Sequence, residues 1–105
     1  MVIFMSMLAS VFAKEELRNM NMIRQYTKEL EQLPKGSIRA KKVKGNVYYY
    51  LNFRDGEKVV SKYIGKDEQK INDLRKQIER RIQIEKILKE LKAERKEIVK
   101  MEGRL

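Results

Sequence analysis

The residues of this sequence best suited to chemistry are cations and tyrosines, and both crowd into the middle third. Between positions 34 and 66 stand Lys35, Arg39, Lys41, Lys42, Lys44, Arg54, Lys58, Lys62 and Lys66, against only Asp55 and Glu57. Seven of the ten net positive charges therefore sit in that segment. Tyr48, Tyr49, Tyr50 and Tyr63 are interleaved with them. Lysine and arginine neutralise phosphates and release counterions. Tyrosines on a sheet can stack on bases or donate to phosphates. A three-stranded sheet can also enter a major groove. The pattern points to a polyanionic partner. The same face would also serve a protein contact, or be a solvated face with no partner.

Other chemistries are poorly supplied. The chain has no cysteine and no histidine, which removes disulfides, thiol nucleophiles, cysteine-ligated zinc and the commonest general base. Glu15-Glu16 and Asp67-Glu68 are paired carboxylates, but they fall at expected helix starts, where acids favour the helix dipole. Lys35-Gly36-Ser37 is superficially like the end of a phosphate-binding loop, yet it follows a helix rather than a strand. No enzyme, cofactor or metal is expected.

The elements that must position the basic tyrosine-rich segment follow from periodicity. Leu8, Phe12, Leu17, Met20, Ile23, Tyr26, Leu30 and Leu33 give one apolar stripe, so a helix is expected over 8–33. Pro34 and Gly36 end it. β-Branched and aromatic residues then predict strands over 37–44, 47–54 and 57–64, joined by two-residue turns at Gly45-Asn46 and Asp55-Gly56. That register sets Leu51 opposite Ala40 and Val60, and Phe53 opposite Ile38 and Lys58. Ile38, Ala40, Val47, Leu51, Phe53, Val60 and Ile64 form the core face, with Tyr49 turned inward. Arg39, Lys41, Val43, Tyr48, Tyr50, Asn52, Arg54, Val59, Ser61 and Tyr63 form the other.

A long helix follows over 67–102, capped by Asp67. Its stripe is Ile71, Leu74, Ile78, Ile82, Glu85, Leu88, Leu91, Arg95, Ile98 and Met101, widened by Ile84 and Ile87. At 1.5 Å per residue the helix is about 54 Å long. That exceeds a small sheet, so the excess is expected to pair with the first helix as an antiparallel coiled coil, or with a second copy. The expected fold is α+β in the order α-β-β-β-α. Residues 1–33, 34–66 and 67–105 are its three segments, read as one structural unit.

The first thirteen residues are apolar but too short to span a bilayer. No lysine or arginine precedes Lys14, so a secretory n-region is missing, although Val11 and Ala13 would suit a cleavage site. Met5 or Met7 would serve as the start, with the first residues disordered. A cytoplasmic protein without a membrane partner is expected.

The run Leu33-Pro34-Lys35-Gly36-Ser37, then Tyr48-Tyr49-Tyr50-Leu51, Arg54-Asp55-Gly56, Lys58-Val59 and Ser61-Lys62-Tyr63-Ile64-Gly65-Lys66, carries a resemblance. It resembles a family of small, uncharacterised prokaryotic proteins, often found among mobile-element and plasmid genes, with helices on both sides of this core. More loosely, the strand–turn–strand pattern is similar to the three-stranded arm-binding domain of tyrosine integrases and to the N-terminal region of some insertion-sequence transposases. The likeness implies DNA contact through Arg39, Lys41, Tyr48, Tyr50, Arg54, Ser61 and Tyr63. Lys35, Lys62 and Lys66 complete the candidate nucleic-acid site. No recombinase or transposase catalytic domain accompanies it, so an accessory or regulatory DNA-binding role is the first expectation. A coiled-coil interaction or assembly module, dimeric or bound to a partner protein through the long helix, is the second.

Overall fold

A computed structural model describes residues 2–104, the side chain of Val2 apart. The element order is α1 (Val2–Glu31), β1 (Ser37–Val43), β2 (Asn46–Asp55), β3 (Lys58–Gly65) and α2 (Glu68–Gly103). The strands form one antiparallel meander in the order β1-β2-β3. The α-β-β-β-α fold is thus the one expected. The first helix begins earlier: residues 2–7 are helical rather than disordered, and Met1 lies outside the described residues. No helix among the described residues is long and apolar enough to cross a membrane.

Both hairpins keep two-residue turns, but each turn sits one residue from its expected place. The first uses Lys44-Gly45, with φ of 50° and 85°, because a type I′ turn needs positive φ at both central residues. Glycine takes the second position, and Lys44 accepts the left-handed strain. The second uses Gly56-Glu57, with Gly56 alone at positive φ (65°), as a type II′ turn requires. The pairing register is corrected accordingly. Leu51 faces Ile38 and Lys62, not Ala40 and Val60. Phe53 faces Val60, not Lys58. Moving a turn by one residue moves each cross-strand partner by two, and side chains alternate with period two. Both faces therefore keep their membership although nearly every pair changes. A bulge between Tyr49 and Tyr50 leaves Ile64 without an opposite residue and sets Tyr49 against Gly65.

The chain folds as two compact units. Leu33–Gln83 form one: the sheet and the first part of α2. Here Leu51 and Ile71 are buried. Ile38, Phe53 and Val60 are half-buried, while Ala40 and Val47, expected in the core, are exposed. Asp67 caps α2 as expected: its carboxylate accepts from the backbone N–H of Gln69 at 3.0 Å. Arg81 reaches back and donates to the Leu33 carbonyl at 2.8 Å. That carbonyl lies just beyond the end of α1 and before Pro34.

The other unit joins α1 to α2 from Ile84 onward. Glu16, Arg18 and Asn19 meet Glu102, Glu94 and Leu91 in turn, so the two helices run in opposite directions. Ile84, Leu88, Leu91 and Ile98 are buried, whereas Ile82 and Met101 are exposed. The buried stripe of α2 thus runs through Ile84 rather than Ile82 and Glu85. Asn19 is fully buried and Leu17 exposed, which reverses the expectation for α1. The Asn19 side-chain amide donates to the Leu91 carbonyl at 2.8 Å, and its own Oδ1 has no partner.

Candidate nucleic-acid interface

The face of the sheet turned away from Leu51 is built in rows by the register. Lys41 pairs with Tyr48; Arg39 pairs with Tyr50, which pairs in turn with Tyr63; Ser37 pairs with Asn52, which pairs in turn with Ser61; Arg54 pairs with Val59 at the far end. Arg54 follows Tyr48 by six positions, so the rows extend over about 20 Å at strand rise. No position on this face is acidic.

Its centre is aromatic. The Tyr63 ring lies 5.4 Å from Tyr50 and 6.3 Å from Tyr48, tilted by 49° and 51°. These are favourable offset geometries for ring quadrupoles. Lys66, just past β3, places its ammonium 4.8 Å from the centre of the Tyr48 ring, a cation–π contact. Tyr48 and Tyr50 are half-buried by this packing, while Tyr63 remains 53% exposed. Two rings thus support a third that is free to stack. Asn52 adds a buried Oδ1 with no hydrogen-bond partner, placed between Ser37 and Ser61 in its row.

Eight of the ten candidate residues are brought to this face or its rim: Arg39, Lys41, Tyr48, Tyr50, Arg54, Ser61, Tyr63 and Lys66. Two are not. Lys62 pairs with Leu51 and so belongs to the opposite face, with Lys42 and Lys58. Lys35 sits exposed in the connection before β1, on neither face. On the opposite face Tyr49 joins Glu68, Ile71, Asn72 and Arg75 around a small hollow of about 240 Å³. Among the described residues no three acidic side chains gather into a metal-binding group.

The Tyr63 platform was hidden in sequence, since alternation alone ranks Tyr48, Tyr50 and Tyr63 equally. The basic cluster at the start of the last helix includes Arg81, but charge alone does not show its hold on the Leu33 carbonyl, although a signal exists. Arg81 continues the Ile71, Leu74, Ile78 stripe by one more turn, and a cation on an apolar stripe needs a buried partner.

Residues 13–76 match a domain of unknown function, DUF6788. The chain belongs to that family. The matched segment spans the whole sheet, including every residue of the candidate interface. No curated protein and no solved structure matches the chain.

Proposed function

We propose that this chain is a small cytoplasmic nucleic-acid-binding protein, without catalytic activity, that contacts DNA in preference to RNA through the tyrosine face of its sheet. The observation that carries the proposal is an acid-free sheet face whose exposed Tyr63 rests on two other rings, with Arg39, Lys41, Arg54 and Lys66 around it. Phosphates would meet the cations, and an unstacked base or sugar would meet Tyr63. An accessory or regulatory role in a mobile element would fit the same reading.

Binding of labelled duplex DNA, single-stranded DNA and structured RNA to the full chain tests the reading. Tyr63→Ala should weaken binding by roughly tenfold, the worth of one stacked base. Val59→Ala, on the same face but aliphatic, should change it little. Equal losses at the two positions would remove the stacking argument. No binding to any of the three at low salt would remove the nucleic-acid reading altogether.

A further inference from the structure

The unit formed by α1 and the C-terminal part of α2 carries a groove that the sheet reading does not use. Ile23 of α1 and Val99 of α2 form its apolar floor, and Lys92, Arg95, Lys96 and Lys100 surround them. Its volume is about 580 Å³. The four cations fall at three-, four- and eight-residue spacings from Lys92, which puts them on one side of α2. Glu90, Glu94 and Glu97 fall on the other side, where Glu94 is held by Arg18 at 2.7 Å. Signs that alternate along the sequence are therefore segregated around the helix. None of the four groove cations forms an ion pair among the described residues.

We propose that this groove docks an acidic amphipathic helix of a partner protein. The charge on its walls calls for carboxylates, and its floor calls for apolar side chains between them. Nucleic acid fits poorly, because phosphates laid over Ile23 and Val99 would lose water and gain no partner there. A second copy of the chain fits poorly too, since no ten-residue stretch of this sequence exceeds one net negative charge. From Lys92 to Lys100 the groove runs about 12 Å, two turns of a docked helix, so two apolar anchors one turn apart would fill it. The proposal is independent of nucleic-acid binding by the sheet.

The test uses the full chain and a labelled synthetic peptide of about 16 residues, with leucines on one helical stripe and glutamates flanking it. Its isomer of identical composition, with the stripe scrambled, is the control. Fluorescence anisotropy at physiological salt should show the striped peptide binding at least about tenfold tighter than the scrambled one. Val99→Asn should cost about tenfold, as should Lys96→Glu with Lys100→Glu. Val99 is half exposed, so its variant should fold, and circular dichroism would verify this. Lys42→Glu with Lys62→Glu makes the same charge change on the sheet and should leave peptide affinity nearly unaltered. Equal binding of the two peptides, indifference to Val99→Asn, or an equal loss from the sheet variant would each reduce the groove to undirected charge and overturn the proposal. Neutralising Arg39 and Lys41 should leave the peptide bound even where DNA is lost, which separates this result from the sheet's.

Discussion

The two faces of the sheet offer a matched pair of perturbations. Arg39, Lys41 and Arg54 lie on the tyrosine face, and Lys42, Lys58 and Lys62 on the other. Each set holds three cations, so neutralising either to glutamine lowers the net charge equally. If the tyrosine face holds the phosphates, Arg39, Lys41, Arg54 and Lys66 give four contacts. The slope of log affinity against log salt on duplex DNA should then be about −3.6, or about −2.8 on a single strand. Between 50 and 200 mM salt the duplex affinity should fall by about two orders of magnitude. Neutralising Arg39, Lys41 and Arg54 should flatten the duplex slope to about −0.9, leaving Lys66 alone. Neutralising Lys42, Lys58 and Lys62 should leave the slope near its original value, with only a modest uniform loss from the weaker overall field. Anisotropy titrations across that salt range measure both. Equal flattening by the two triple variants would mean that the protein binds as a diffuse polycation, and the assignment to one face would fail. An unchanged slope in the first variant would place the phosphates elsewhere.

Three further outcomes follow from the packing. Gly36 adopts φ of 122°, and a Cβ there would run into the Asn52 carbonyl and come within 2.9 Å of Phe53 Cβ, so Gly36→Ala should destabilise the fold by more than about 1 kcal/mol in urea melts. Gly103→Ala, in open space and ordinary helical backbone, should be silent, and equal effects would refute the steric account. Asn19→Leu removes a buried oxygen that lacks a partner and should stabilise the helix pair by about 1–2 kcal/mol in the same assay; a loss instead would show that the Leu91 hydrogen bond outweighs it. Partial burial, reinforced by a hydrogen bond and repulsion from Glu16, raises the Glu102 pKa. A raised carboxyl pKa means the folded state holds its proton more tightly than the unfolded one, so this contribution favours folding at acid pH and fades as pH rises through the folded value. Glu102→Gln should therefore raise the melting temperature at neutral pH and flatten its fall on leaving the acid range, and an unaltered pH profile would exclude the carboxyl pair as its source.

Much of the fold is legible in local chemistry. Pro34, the glycine turns and the change of period from 3.6 to 2 and back mark the five elements without reference to tertiary contacts. Face membership is legible for a sharper reason. An error of one residue in a turn shifts pairing by two, and period-two alternation is blind to such a shift. Each face of the sheet therefore kept its membership through a register that was itself displaced.

Turn type decided that register, because it depends on which residues bear positive φ; Lys44 accepts it, and no local preference selects Lys44 over Asn46. Packing decided the rest. Hydrophobicity ranks Leu17 above Asn19 as a core residue, yet Asn19 is the one buried, because it can meet the Leu91 carbonyl where the helices touch. Three equivalent tyrosines became one exposed platform on two supports only when the Gly56-Glu57 turn set Tyr63 opposite Tyr50. Sequence alone determined which residues could form a binding face, since alternation and turn chemistry are local. Tertiary structure decided which of them remain open to a partner, since exposure depends on neighbours that lie far away along the chain.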